Sequence, residues 1–193
     1  AAALAHALVL GKRKVGFTNE ESVAHNVPLV LNGAAILWFG WFGFNGGAEA
    51  AWAYGDGVYG SLTPDGTFLG TIVVNTLAAP AAAVIGWLIV EKIKDGKATS
   101  IGAASGAVTG LVAITPACAF LEPGWAIVLG VISGVISALA VELKFKLGFD
   151  DSLDVVGIHL VAGLVGTLFL GFFAKGTGLI YSGSFNQLAL QAI

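Results

Sequence analysis

One histidine within an apolar stretch is the residue of this sequence best suited to chemistry. The stretch opens with acids and a hydroxyl at 150–154 and then runs uncharged to Ala174, which is long enough to cross a bilayer as a helix. His159 lies about 10 Å along the helix axis from Ser152. Ionisable side chains at such depth are rare and usually functional. The imidazole either lines a pore and handles a proton, or merely hydrogen-bonds a neighbouring helix.

Small residues accompany this histidine. At helical spacing, Asp151, Val155, His159, Gly163 and Gly166 share one broad face. The glycines remove bulk beside the imidazole, which either admits a neighbouring helix or leaves a lumen. The acids ahead of the stretch suit a helix N-terminus, whose free N–H groups and dipole favour negative charge.

A second candidate site is aromatic. Trp41, Phe44 and Ala48 fall on one side of a helix, at i, i+3 and i+7. Ring faces attract a cation by about 0.5–2 kcal/mol each, so this group predicts a cation-recruiting site. An aromatic belt at the membrane interface is the alternative. A belt accounts for Trp41 better than for Asn45 and the glycine pair that follows it.

Composition excludes most soluble classes of protein. The 193 residues are 56% hydrophobic and 11% charged, with a mean hydropathy of +0.87, whereas soluble domains carry about 25% charged residues. Apolar runs near 20 residues predict an all-α integral membrane protein rather than a barrel. The one cysteine excludes an intrachain disulfide. No metal cluster, nucleotide loop or hydrolytic triad is visible, so we expect neither an enzyme nor a cofactor.

The apolar runs predict a single, partial transmembrane domain over 1–193. The chain begins and ends within apolar helical patterns, so we interpret it as an internal piece of a longer protein. The predicted spans are about 1–10 (the tail of a span), 27–50, 68–90, 100–119, 124–141, 152–174 and 186–193 (the start of a span).

Basic residues predict the orientation of these spans. Eight of the nine basic residues lie in alternate loops, and Lys175 is the exception. Because cytoplasmic loops retain Lys and Arg, we expect these loops to face the cytoplasm and His159 to lie nearer the cytoplasmic half. The eight are Lys12, Arg13, Lys14, Lys92, Lys94, Lys97, Lys144 and Lys146.

Two ladders of small residues at four-residue spacing predict close helix packing. Such ladders let helix backbones approach in lipid, where packing is driven by dispersion. The first ladder is Gly102, Gly106 and Gly110, and the second is Gly130, Gly134 and Ala138.

Several motifs, in order along the chain, resemble those of the ammonium transporter family (Amt/Mep/Rh), on the Amt side. They are GWFGFN at 40–45, VNT at 74–76, GAASG at 102–106, ITPAC at 114–118, and the acids at 150, 151 and 154 followed by His159. The resemblance covers essentially the whole chain. It implies the ammonium-transporter fold, with eleven helices in two inverted five-helix halves, assembled as a homotrimer with one pore per subunit. This chain would supply the end of helix five to the start of helix eleven.

The resemblance also implies roles for single residues. His159 matches the second of two pore histidines, and Phe44 one of two stacked phenylalanines that gate the outer pore. Trp41 and Ala48 belong to the outer recruitment site, although the family usually has a serine in place of Ala48, whose hydroxyl helps to bind ammonium. Asp151 corresponds to the acidic residue at the start of the tenth helix, which is structural or linked to the cytoplasmic mouth.

The implied function is ammonium/ammonia transport across the plasma membrane by a multi-pass protein. Ammonium would be recruited by aromatic rings, lose a proton and pass as ammonia beside His159, which desolvation keeps neutral. A PII-type cytoplasmic regulator is a candidate partner, and nucleic acid is not. An ammonium sensor with the same fold is the alternative, for which Ala48 is a weak reason.

A redox subunit that holds haem between histidines is a third interpretation, and the other histidines disfavour it. His6 lies too close to Gly11 to match the first pore histidine, which belongs upstream of Ala1 on the resemblance. His25 sits beside Asn26 at a loop–helix junction and is interpreted as structural. Only His159 then lies at depth in these spans.

Overall fold

The computed structural model describes residues 1–14, 17, 24–54 and 67–193, with the backbone alone for 49–54 and 67. All regular structure in these residues is helical. The helices are α1 (Ala2–Leu10), α2 (Val27–Tyr54), α3 (Thr67–Lys94), α4 (Ser100–Ile114), α5 (Pro123–Ala140), α6 (Leu143–Leu147), α7 (Val161–Phe173), α8 (Leu179–Ser182) and α9 (Asn186–Ala192), and a π-helical turn at Val156–Leu160 leads directly into α7.

Four helical segments are long and apolar enough to cross a membrane: Val27–Ala48, Phe68–Lys94, Pro123–Leu147 and Val156–Phe173. The apolar helix α4 is shorter, at 15 residues. It ends at Ile114 rather than near 119, because Pro116 has no backbone N–H with which to continue the helical hydrogen bonds. Tight turns, such as the one closed from the Ala117 N–H to the Ile114 carbonyl, continue the path. The chain is a multi-pass membrane protein, as the sequence predicts.

Helix α3 lies between α4 and α5, and the two glycine ladders form the contacts. A Cβ added at Gly110 would overlap the backbone of Pro80 in α3, and one added at Gly130 would overlap the carbonyl of Ala79. On the same seam, Gly134 meets the backbone of Ala83. The predicted close packing of these ladders is confirmed.

The core lies between α3, α4, α5 and α7. Its large, fully buried side chains include Ile72, Ile114, Leu121 and Leu129, all at 1% exposure or less. A second, smaller cluster of Trp87, Ala138 and Ile158 packs where α3 and α5 meet the π turn. The span that carries His159 is therefore held in the second cluster by Ile158 and in the main core by Ala162 and Phe169.

Charged side chains gather at one end of the bundle. Each of the three clusters of basic residues contributes one cation to an ion pair with an acid at that end, as expected if the three clusters lie on the same side of the membrane. The pairs are Arg13 with Asp150, Lys94 with Glu142, and Lys144 with Asp154.

The histidine span differs from its predicted start at 152. The helical part begins at Val156, and the residues before it form a turn. Asp154 has a φ of 56°, in the left-handed region, which a right-handed helix does not admit. The acids therefore precede the helix, and Asp151 caps it.

Candidate functional site

The structure brings two of the predicted recruitment residues together. The rings of Trp41 and Phe44 have centroids 5.8 Å apart, with their planes inclined at 59°. Phe44 is 62% exposed, Trp41 is half-buried, and the side chain of Ala48 is exposed on the same helix. An aromatic edge with an accessible face is thus formed on α2, and Ala48 brings no polar atom to it.

Trp41 is held by a residue just past the end of α4. Its indole N–H donates to Thr115 Oγ1 at 2.7 Å, and the Thr115 hydroxyl donates onward to the Leu111 carbonyl at 2.8 Å. The orientation of the indole is therefore fixed between two helices. Sequence reasoning gave Thr115 no role, although a hydroxyl in an apolar segment needs a partner and is a usable signal.

Other residues of the resembling motifs also bond between helices. Asn45 Nδ2 donates to Thr76 Oγ1 at 3.0 Å, which ties α2 to α3. Asn75 Nδ2 donates to the carbonyls of Cys118 and Leu121, each at 2.8 Å. Buried amides of this kind are stabilising only when their donors are satisfied. These motif residues thus hold the scaffold behind the aromatic edge.

His159 lies in the π turn, where the Val161 N–H bonds to the Val156 carbonyl five residues earlier. Its side chain is exposed on the surface of the described residues. π turns inside α-helices are rare and are frequent at functional sites. The sequence pattern did not indicate one, since hydrophobic periodicity does not report a single wide turn.

The sequence predicts that His159 and Gly166 lie on one face of the helix, and the structure shows that they do not. Gly166 is buried against the backbone of Ala113 in α4, whereas His159 is exposed. Gly163 is half-buried, and a Cβ added there would only reach van der Waals distance of Val112. An extra residue in one turn shifts the helix faces relative to a regular spacing. Gly166 therefore serves close packing, and it does not widen a space beside the imidazole.

Asp151 caps the π turn. Its carboxylate accepts hydrogen bonds from the N–H groups of Val155 at 3.0 Å and Val156 at 2.7 Å. Lys144 Nζ donates to the Asp151 carbonyl at 3.0 Å and to Asp154 Oδ1 at 2.6 Å. We call Lys144, Asp151 and Asp154 the Lys144 brace.

Neighbouring acids have pKa values shifted in opposite directions. The Arg13 backbone N–H, which donates to Asp150 Oδ2 at 2.9 Å, holds the pKa of Asp150 below its usual value, and the Arg13 side chain adds to this. Burial raises the pKa of Asp154, more than the contact with Lys144 lowers it. The Asp154 carboxylate is thus partly desolvated and depends on its cation.

A cavity of about 740 Å³ opens at the charged end of the bundle. It is lined by polar groups from α4 and the loops, Arg13, His25 and Ser105 among them, and by Ile158 beside the histidine. Ser105 is near the start of α4, whereas Trp41 bonds Thr115 beyond its end. The cavity at Ser105 and the aromatic edge at Thr115 are therefore separated along α4 by about 15 Å, at 1.5 Å per residue.

His6 and Cys118 do not form part of a metal-binding cluster in the described residues. His6 is exposed, and its Nδ1 lies 2.9 Å from the Ala2 carbonyl. Cys118 is a buried thiol, and its Sγ donates to the Thr115 carbonyl at 3.5 Å. Within the residues described, no three His, Cys, Asp or Glu side chains converge as a metal site would require.

The fold and site define a class of protein: a polytopic helical membrane protein with an aromatic pair towards one end of the bundle and a histidine in a π turn towards the other. The profile of the Ammonium Transporter Family matches residues 1–193. The chain belongs to that family, and the predicted resemblance is confirmed. The family is one of transporters and not of enzymes, in agreement with the sequence.

Named relatives align with the whole length of this chain. The chain is 50% identical to the ammonium transporter of Mycobacterium tuberculosis, over 100% of the chain and 40% of the relative. It is 45% identical to a putative ammonium transporter of Methanothermobacter thermautotrophicus, over 100% of the chain and 45% of the relative. The chain thus spans less than half the length of these relatives.

Solved structures agree with the fold. The crystal structure of Candida albicans Mep2 superposes with a TM-score of 0.83 at 32% identity, over 99% of this chain and 42% of that one. A protein described as a sensor Amt protein superposes with a TM-score of 0.79 at 32% identity, over 98% of this chain and 45% of that one. The predicted all-α membrane fold of the ammonium-transporter type is confirmed.

Proposed function

We propose that this chain forms part of a pathway that moves ammonium across a membrane. The observation that carries the proposal is the pairing of an exposed aromatic edge at Trp41 and Phe44 with an exposed histidine in a π turn further along the bundle. Membership of the family and the names of its relatives support ammonium as the substrate.

The physical problem is to pass ammonium and reject potassium, a cation of similar size. An ion that enters a narrow apolar passage loses its hydration, at a cost well above the attraction of one aromatic ring. Ammonium has a second route, because it can release a proton and continue as neutral ammonia. Potassium has no such route, so deprotonation supplies the selectivity.

The residues divide this task between them. Trp41 and Phe44 attract the cation by their ring faces, and Phe44 closes the way inward as a gate. His159 offers one donor and one acceptor as a neutral imidazole, which suits hydrogen bonds to ammonia and the passage of a proton. Asp151 holds the start of the π turn by capping it. Ala48 leaves the outer site without a hydroxyl.

The test is current and uptake measured together on the full-length protein in proteoliposomes. Ammonium should enter with a charge-coupled current, and potassium at the same concentration should produce none. Absence of ammonium uptake by an assembled protein, or equal potassium current, would refute the proposed transport.

An ammonium sensor is the second candidate. The similarity to the sensor Amt protein and the alanine at position 48 favour it. The same experiment separates the two, because a sensor should bind ammonium without sustained uptake. Saturable ammonium binding by calorimetry, with no flux in vesicles, would select the sensor.

We further propose a homotrimer in the plasma membrane whose charged end meets a PII-type cytoplasmic regulator. The segments around Lys12, Lys94 and Lys144 offer that surface, and ion pairs from each of them lie at this end of the bundle. Native mass spectrometry should give a trimer, and reversal of these three charges should weaken capture of the regulator. Capture unaffected by the reversals would place the regulator elsewhere.

A further inference from the structure

Lys144 makes two bonds to one turn from a separate helix. It projects from α6, and its Nζ reaches the Asp151 carbonyl at 3.0 Å and Asp154 Oδ1 at 2.6 Å. The Lys144 side chain is only 13% exposed. A lysine held this closely has given up much of its hydration, so its contacts with the turn are what compensate it.

The turn needs a cation to keep its shape. Asp154 adopts a left-handed φ of 56°, which is unfavourable for residues other than glycine, although aspartate tolerates it better than most. Its carboxylate is also partly buried, at 34% exposure. Lys144 offsets both costs, because it neutralises the Asp154 carboxylate and holds the carbonyl of Asp151, three residues earlier in the turn.

The turn at 151–154 is bonded directly to the start of the π turn that follows it. Asp151, whose carbonyl Lys144 holds, accepts from the N–H groups of Val155 and Val156 through its carboxylate. The Val156 carbonyl in turn accepts from the Val161 N–H and closes the wide turn around His159. A shift of one residue in this register would rotate the imidazole by about 100°.

We infer that Lys144 is a positioning residue for His159: by holding Asp151 and Asp154 it fixes the register of the π turn and so points the imidazole into the conduction path. The inference rests on the proposed transport for its functional meaning. Lys144 touches no substrate, and its effect reaches the substrate only through His159.

The matched control lies on the same short helix. Lys146 carries the same charge, is exposed and makes no ion pair among the described residues. Lys144→Met in the full-length protein should lower maximal ammonium transport about tenfold and leave the half-saturating concentration within about twofold, because recruitment occurs at Trp41 and Phe44. Lys146→Met should leave both quantities unchanged.

A double variant of Lys144 and His159 distinguishes a positioning role of Lys144 from general damage to the fold. In a His159→Leu background, where charge-coupled transport is abolished, Lys144→Met should reduce the residual uncoupled ammonia uptake no further, since residues that act as a unit are not additive. Asp154→Asn keeps the left-handed preference and removes the charge, so it should show a smaller loss of the same kind if Lys144→Met fails to assemble. An assembled Lys144→Met protein that transports normally, or an equal fold-loss of the residual uncoupled ammonia uptake in the His159→Leu background, would overturn the inference.

A readout independent of transport keeps the inference separate from the proposed function. Hydrogen–deuterium exchange at the amides of residues 155–161 should be faster in Lys144→Met than in Lys146→Met. If the unmodified protein moves no ammonium, the proposed function fails and exchange alone decides whether the brace holds the turn. Unchanged exchange would overturn the inference in either case.

Discussion

The indole N–H of Trp41 donates to the hydroxyl of Thr115 at 2.7 Å and joins α2 to the turn after α4. Without this bond, the ring beside Phe44 would be free to rotate about its side-chain torsions. The geometry of the aromatic edge on α2 therefore depends on Thr115 in the turn after α4.

Thr115→Val should weaken recruitment, because valine has a similar shape and neither accepts from Trp41 nor donates to Leu111. Loss of a bond worth about 1 kcal/mol corresponds to a roughly fivefold higher half-saturating ammonium concentration. Uptake kinetics measure this. Thr115→Ser is the matched control and should remain near the unmodified value; equal shifts in both variants would count against the hydrogen bond.

Ala48→Ser should lower the half-saturating ammonium concentration severalfold, up to about tenfold. A serine hydroxyl would add one hydrogen bond to a charged donor, worth roughly 1.5–3 kcal/mol when well made, and water at an exposed position offsets part of it. Rejection of potassium should be unchanged, since the proposed mechanism places it at deprotonation further in. An unmoved half-saturation would show that position 48 does not face the recruited ion.

His159→Leu should abolish charge-coupled ammonium transport. Leucine keeps apolar bulk and removes both the donor and the acceptor of the imidazole. Current and uptake on the assembled full-length protein measure the effect, and size-exclusion chromatography checks assembly. Unchanged current in an assembled variant would remove His159 from the path.

Gly130→Ala should lower the stability of the folded bundle by about 1–3 kcal/mol, the usual cost of overpacking. The added methyl would meet the carbonyl of Ala79, a backbone atom that cannot rotate away. Gly124→Ala is the control, because nothing lies within 4 Å of its added Cβ. Thermal unfolding in detergent compares the two, and equal midpoints would show that the α3–α5 seam relaxes freely.

We expect the contact between Asp150 and Arg13 to be sensitive to acid. Its folded-state pKa is lowered by the Arg13 N–H, so its contribution to stability is present above the ordinary aspartate value of 3.8 and is lost as pH falls through the lower folded pKa. Asp150→Asn should flatten the dependence of the unfolding midpoint on pH in that acidic range. A profile that remains as steep would assign the acid sensitivity to other carboxylates.

The sequence by itself determined the class of the fold, most spans and the packing seams. Apolar runs of about 20 residues require helices in lipid, because every backbone group must be satisfied within the segment, and a four-residue glycine spacing places small residues on one side whatever the neighbour is. The glycine ladders of α4 and α5 were readable for that reason. The family resemblance was also visible in the sequence, because the motifs at 40–45 and 114–118 are short runs of adjacent residues.

Tertiary structure decided the details on which the site depends. The partner of Trp41 lies 74 positions away in the sequence, and no local pattern selects Thr115 from the other hydroxyls. The π turn and the left-handed Asp154 arise because Lys144, Asp151 and the N–H groups of Val155 and Val156 satisfy one another there. Helical periodicity describes one repeating geometry, so a single wide turn that is fixed by charged residues preceding the helix appears only once the chain is folded.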